Sequence, residues 1–344
     1  MLTVLDDKHN KEASHELRDK LPTAKVETEV NQRQVLSAKS NTIAKGFSRA
    51  ARHYDKHAQV QQRIAKALVD WQKSQPSSNS NYANSVALDI GCGTGQLALM
   101  LSGQFAQWFN LDLSFAMLQQ ARQKAHAENM RTKRAKSVED KQHFILGHAN
   151  ELPFATRSID KVYSSMALQW SENPFSSLAE IHRVLKPHGE ASIAFMIEGS
   201  FYSLESAWER AGYASRLNRF ADKSRWISAF ERLKRYATKG NERIYENLKE
   251  DMESGIAESR IAESTAGSIE ENTTQLMQFS TWHPNLLHAL KSLKAIGANT
   301  ALSKAKANML GKREIERVES LWSREQDMYS LEYHVLFMHW RKGV

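Results

Sequence analysis

Residues Val86 to Leu97 read V-A-L-D-I-G-C-G-T-G-Q-L, a short apolar run that carries Asp89 and ends in three alternating glycines. Glycine accepts positive φ and has no side chain, so a strand ending this way lets a ligand lie against bare backbone. The helix expected after Thr94 directs its free N–H groups at the same spot. A dinucleotide fingerprint, G-x-G-x-x-G, counted from Gly91 needs glycine at 96, and that position is Gln96. The spacing is D-x-G-x-G-x-G instead. A second apolar run, Trp108 to Leu113, ends in another carboxylate, Asp112. It follows the loop by about 20 residues, the offset at which a doubly wound fold meets a ribose, and a carboxylate there accepts from both hydroxyls. Ser114 is an expected N-cap for a helix through Met117, Leu118 and Ala121, which fixes the turn after Asp112.

Alternating strands and helices must position these residues. After the first two strands, His143 to Leu146 and Asp160 to Met166 read as the third and fourth. Pro174 to Lys186 places Phe175, Leu178, Ile181 and Leu185 on one helical face, Pro187-His188-Gly189 stops it, and Ala191 to Met196 is a further strand. This alternation builds an α/β fold with a doubly wound, Rossmann-like parallel sheet. Leu331 to Trp340 reads as a long last strand, antiparallel to the rest. Ahead of the sheet, Ile43 to Trp71 carries the apolar spacing of amphipathic helices, and Leu286 to Ile296 forms another, ended by Gly297. Four polar stretches interrupt the pattern. Residues 1–40 read as a mobile tail, 75–85 as a linker, 131–141 as a charged interruption, and 235–275 as an acidic helical or mobile insertion. Residues 41–342 are then one catalytic domain.

With 344 residues and 41% hydrophobic content the chain buries a full core, and no run approaches the roughly 20 apolar residues of a membrane span. The N-terminus is charged within a few residues and lacks the apolar stretch of a secretory signal. The single cysteine, Cys92, cannot form an internal disulfide, which fits a reducing, cytoplasmic setting. No Cys/His spacing suits zinc, and His53 with His57 at i, i+4 lack a third ligand, so no metal is expected. Net charge is +8, yet residues 241–271 hold nine acids against three bases, leaving +14 on the remainder. Such a basic surface attracts an acidic partner by long-range steering that salt weakens.

The quoted segments, taken together, resemble one family. Gly46 to Asp55, G-F-S-R-A-A-R-H-Y-D, with Gln61 beyond it, precede D-I-G-C-G-T-G and L-D-L-S-F-A-M-L. L-P-F-A, A-L-Q-W, L-K-P-H-G, N-R-F at Asn218 to Phe220, and L-K-A-I-G-A-N at Leu293 to Asn299 follow. The glycine loop and L-K-P-x-G resemble those of class I S-adenosylmethionine (SAM) methyltransferases in general. The first and last segments are narrower, and the whole, over about 41–342, is similar to the malonyl-acyl-carrier-protein O-methyltransferases of biotin synthesis. The resemblance implies a seven-stranded methyltransferase sheet, an N-terminal helical lid over the SAM pocket and a C-terminal helical insertion. SAM contacts are implied at Asp89, Gly91, Cys92, Gly93 and Gly95 in the loop, and at Asp112, Leu113 and Met117 after the second strand. His148, Ala149, Asn150 and Ser164 complete the set. His148 stands where the family usually has an acid to accept from the adenine amino group; a neutral imidazole has one acceptor nitrogen for that purpose.

The implied reaction is methyl transfer from SAM to the free carboxylate of a malonyl thioester, borne by an acyl carrier protein or by coenzyme A. A carboxylic acid is ionised near neutral pH, so its nucleophile needs no general base. The protein's task is placement, for which Tyr54, Arg49, Gln169, Arg219 and His334 are the candidates in falling order. Lys291, Lys294 and Arg52 are candidate contacts to an acidic carrier. Another small acid or a quinone precursor is the alternative substrate, with His53 or His334 as base. A nucleic-acid substrate is disfavoured, because Ser164-Ser165-Met166-Ala167 stands where amino methyltransferases of DNA carry an aromatic N-P-P-Y type of motif.

Overall fold

The computed structural model describes residues 38–75, 82–132, 141–215, 217–237, 269–296 and 311–344. Most of the expected tail, the core of the 131–141 interruption, Gly297 to Asn299 and residues 238–268 of the expected insertion lie outside the described residues.

Strands β1 (Val86–Ile90), β2 (Gln107–Asp112), β3 (Gln142–Leu146), β4 (Ile159–Ser165) and β5 (Leu185–Met196) run parallel. Two long strands, β6 (Ile269–His283) and β8 (Met328–Lys342), extend the sheet to the order β3-β2-β1-β4-β5-β8-β6. The two-residue β7 (Arg324–Glu325) folds back on β8. β8 alone is reversed, pairing antiparallel with both β5 and β6, as the expected last strand should. The parallel strand β1 is largely apolar because both faces of the sheet are covered, and V-A-L-D-I is buried from Ala87 onward.

Period-two alternation along β5 and β8 sorts their side chains into two cores. Ile193, Phe195, Leu336, Met338 and Trp340 face helices α6 (Pro174–Val184) and α8 (Lys223–Ala237), where Leu178, Ile181, Trp226 and Phe230 meet them. Ala194, Met196, Tyr333, Val335 and Phe337 face α3 (Gln59–Lys73), α7 (Tyr202–Arg210), α9 (Leu286–Ala295) and α10 (Lys312–Leu321). The short α4 (Gln96–Leu101) and the 18-residue α5 (Phe115–Thr132) complete the β1-β2-β3 half. Ser114 caps α5, its Oγ accepting from Met117 N at 3.3 Å, as its place in the sequence predicts.

The expected insertion at 235–275 is corrected at both ends. Ala237 closes α8, and Ile269 to Gln275 are already strand, paired with β8 from Lys342 to Phe337. Helices α7 and α8 precede this stretch in the chain, and α9 and α10 follow it.

Candidate active site

The strand order reverses direction between β1 and β4, and the loops leaving β1, β2 and β4 open there into a cleft of about 1120 Å³. Gly91, Gly93 and Gly95 all have positive φ. Gly91 N and Cys92 N donate to Leu111 O at 2.7 and 3.0 Å, which ties the glycine loop to β2. A Cβ on Gly91 falls 2.1 Å from Ala167 Cβ, so the β4 loop is seated directly against bare backbone. Asp112 receives one backbone hydrogen bond on each oxygen, from Gly93 N at 2.9 Å and Ser114 N at 2.8 Å. Each oxygen keeps a lone pair, and the carboxylate lines the cleft.

A lid closes the opposite wall. Helix α1 (Ala38–Ala50) runs through a 3₁₀ turn at Ala51–His53 into the short α2 (Tyr54–His57). Its apolar side presents Ile43, Phe47, Tyr54 and Ala58 to the cleft. Three of its polar residues fasten it. Ser48 Oγ lies 2.9 Å from Ser114 Oγ, and Ser40 Oγ lies 3.3 Å from His148 Nε2. Asp55 accepts from Thr94 Oγ1 at 2.6 Å and pairs with Lys124 Nζ at 2.7 Å, while Lys124 also donates to Thr94. Phe47 packs edge-on against both Tyr54 and Trp170, joining the lid to the β4 loop.

Acid groups set the electrostatics. Asp89 is 1% exposed, neither of its oxygens has a hydrogen-bond partner among the described residues, and it lines the cleft. Burial, reinforced by Asp112, holds its carboxyl well above the usual carboxylate range. Burial raises Asp112 to about 6, against the opposing pull of its backbone donors. An unsatisfied buried carboxyl calls for a cationic donor from a ligand, and Asp112 for hydroxyl donors. SAM carries both an ammonium and a ribose diol, so the donor set fits it. Tyr54 is pushed upward by burial and by the neighbouring Asp112 and Asp55, which keeps its phenol protonated. Cys92 is likewise raised by burial, so the thiol is an inert wall of the loop.

The cleft gathers Asp89, Gly91, Cys92, Gly93, Asp112, Leu113, Met117, His148, Ala149 and Tyr54 from the expected set. Seven expected residues lie off its lining. Gly95 packs against Ala121 at the start of α4. Asn150 Oδ1 accepts from Ser171 and Ser177, a structural knot under the β3 loop. Ser164 Oγ is turned back to Ile90 O, and its neighbour Ser165 lines the cleft instead. Gln169 donates to Met166 O, and the His334 ring sits against Gly199. Arg219 has an 83% exposed side chain 3.8 Å from Glu205, and Arg49 is on the exposed side of the lid. His148 also differs from expectation. Its Nδ1 accepts from Asn150 N at 3.1 Å, and burial favours the neutral ring, so Nε2 carries the hydrogen and is a donor. The acceptor foreseen for the adenine amino group is therefore already used.

Sequence reasoning passed over Asp55, Thr94 and Lys124, which fasten the lid, and Ser165, whose Oγ is buried without a partner among the described residues. Trp170 Nε1 and Gln61 Oε1 are likewise buried, unpartnered and on cleft-lining residues. Among the described residues, no lysine or arginine lines the cleft.

Residues 88–193 match the family model described as a methyltransferase domain. The chain is 29% identical over 296 residues to the malonyl-[acyl-carrier protein] O-methyltransferase of Erwinia pyrifoliae, covering 86% of this chain and 90% of that protein. It is 26% identical to the protein of the same name from Salmonella typhimurium, over 86% of this chain and 94% of that one. Among solved structures, the YcgJ protein of Bacillus subtilis aligns with a TM-score of 0.49 at 16% identity, covering 81% of this chain and 99% of that one.

Proposed function

We infer that this chain, a SAM-dependent methyltransferase, esterifies the free carboxylate of a malonyl group held as a thioester on an acyl carrier protein, giving the malonyl methyl ester that primes pimeloyl formation for biotin. The names of the relatives support the substrate class. Within the site, the observation that carries the reading is a cleft lined by neutral polar side chains, Tyr54, Ser165 and Trp170 among them, and, among the described residues, by no lysine or arginine.

SAM supplies an electrophilic methyl group when bound, and an oxygen nucleophile that takes it leaves a neutral thioether behind. Asp112 holds the ribose hydroxyls on its two remaining lone pairs, and Asp89 meets the cationic amino-acid end. Leu113, Met117 and Ala149 wall the adenine beside the His148 donor. At the other end, Tyr54, Ser165 and Trp170 supply neutral O–H and N–H donors to the malonyl carboxylate, with Gln61 beside them. Neutral donors orient an anion without the full quench of an arginine pair, so the oxygen stays nucleophilic while it is held. Tyr54 acts only as a donor, because its raised pKa keeps it from serving as a base. No proton has to be removed from a carboxylate that is already ionised. The carrier is the preferred thioester in this reading, with coenzyme A as the smaller substitute. No helix among the described residues is long and apolar enough to cross a membrane. A cytoplasmic location belongs to the same reading, supported by the lone reduced Cys92.

The decisive test is methyl transfer from radiolabelled SAM to malonyl-acyl carrier protein, with unloaded and acetyl-loaded carrier as controls, followed by alkaline hydrolysis. Base-labile label on the malonyl carrier alone is the expected result; label on all three, or on none while SAM binds, sinks the substrate assignment. Tyr54→Phe should lower turnover about 10-fold, the cost of one lost hydrogen bond to a charged group, and leave the SAM Kd within about 2-fold. Full turnover in that variant removes Tyr54 from the site.

SAM affinity should also depend on pH. Asp112 accepts from two hydroxyls only when ionised, and its raised pKa of about 6 means that it protonates as pH falls through that value in the free protein. Affinity is therefore expected to be level above about pH 6 and to drop by up to about 10-fold per pH unit below it. Calorimetry across the range checks this, and Asp112→Asn should lose the step near 6.

A further inference from the structure

The lid has two faces, and only the inner one belongs to the cleft. Ile43, Phe47, Ala50, Ala51, Tyr54 and Ala58 are turned toward the protein. On the outer side stand Lys45, Arg49, Arg52 and Lys56, all exposed. They follow one another at four, three and four residues along the outer side of the lid, Lys45 and Arg49 on α1, Arg52 in the 3₁₀ turn and Lys56 on α2. The only acid of this stretch, Asp55, is taken up by Thr94 and Lys124. None of the four cations has an ion pair among the described residues, whereas Lys66, Arg131, Lys234, Lys312 and Arg324 elsewhere each pair with a nearby acid. Helix α9 touches α2 and adds the exposed Lys291 and Lys294, three residues apart, beside the half-exposed Leu287.

Lys45 and Arg49, at i, i+4 on α1, repel each other, and Arg52 and Lys56 add to the same positive field, a cost that the fold does not relieve with its own acids. Unrelieved repulsion on the back of a lid is the arrangement expected of a surface that meets an anionic partner. We propose that the ridge Lys45, Arg49, Arg52 and Lys56, extended by Lys291 and Lys294, is the docking surface for an acidic, helical carrier protein whose thioester arm then enters the cleft beneath the lid. The proposal rests on the substrate reading above. The carrier's acidic face complements the ridge, and the same lid that receives the carrier presents Phe47 from α1 and Tyr54 from α2 to the cleft. Docking thereby steadies the inner face of the lid at the moment the arm arrives.

The test separates docking from chemistry. Binding of fluorescently labelled, unloaded carrier protein is measured by anisotropy for the wild type and for Lys45→Glu/Arg52→Glu/Lys56→Glu, which leaves the cleft lining untouched. The Kd is expected to weaken by about 10-fold or more, and the wild-type Kd to weaken as salt is raised. The KM for malonyl carrier should rise in parallel, while turnover of malonyl-coenzyme A and the SAM Kd stay within about 2-fold. Lys234→Glu, on α8 in the other core, should change none of these. The neutralised variant Lys45→Gln/Arg52→Gln/Lys56→Gln should fall between, which guards against a lid that fails to fold. Unchanged carrier binding in the triple reversal, an equal loss in Lys234→Glu, or tighter binding of a structured RNA than of carrier overturns the ridge. A wild type that binds carrier through the ridge but methylates no malonyl thioester overturns the substrate reading and leaves the ridge standing.

Discussion

Asp112→Ala is expected to weaken SAM binding by about 100-fold or more while the protein remains folded. The carboxylate makes two charge-assisted hydrogen bonds to the ligand in the proposed arrangement, each worth about 1.5–3 kcal/mol, and every 1.4 kcal/mol is a factor of ten. Its other two hydrogen bonds hold the ligand loops themselves, since Gly93 N and Ser114 N converge on its two oxygens. Alanine therefore removes the ligand acceptor and unties the glycine loop from the start of α5. Asp112→Asn separates the two effects. The amide keeps one accepting oxygen but turns an NH₂ toward a backbone N–H, so it should cost about 10-fold or more with less disturbance of the loop. Calorimetric titration with SAM and S-adenosylhomocysteine, beside thermal unfolding of both variants, decides it. An affinity loss below about 5-fold in Asp112→Ala takes Asp112 out of the ribose site.

The cofactor end is legible in the sequence because its geometry is local. Asp89, the glycines and Asp112 are set by strand ends and tight turns, whose residue preferences are written within a few positions. The β8 strand is legible too, since both its faces are buried. Its partner β6 is not: from Glu270 to Leu276 its side chains are exposed, so the segment E-E-N-T-T-Q carries no alternation to read. The substrate end depends on contacts between distant segments. Asp55 meets Thr94 across 39 residues and Phe47 meets Trp170 across the lid, and nothing in either local stretch announces its partner. Arg49 is a different case, because the pattern that places it is local. Lys45, Arg49, Arg52 and Lys56 recur at helical spacing opposite Phe47, Ala50 and Tyr54, and that amphipathic division alone puts Arg49 on the solvent side of the lid, away from the cleft.

Gly91→Ala should be strongly damaging for so small a substitution, and its damage should be repairable at a distance. Alanine at φ +70° adopts a conformation that L residues avoid, at a cost of about 1–2 kcal/mol. Its Cβ also falls 2.1 Å from Ala167 Cβ, an overlap of the kind that costs about 1–3 kcal/mol in a packed interior. A total of about 2–5 kcal/mol follows, read from denaturant unfolding, with SAM affinity falling as the loop is pushed off β2. Ala167→Gly removes the colliding methyl but not the backbone strain. The double variant should therefore recover the steric part alone, giving a coupling energy of about 1–3 kcal/mol in a double-mutant cycle. Absence of that coupling means that the β1 and β4 loops are not in contact, and the cleft at the switch point would then have a different floor. Recovery of stability without recovery of SAM affinity locates the remaining loss in the strained loop itself, where Gly91 N and Cys92 N must reach Leu111 O for Asp112 to face the ligand.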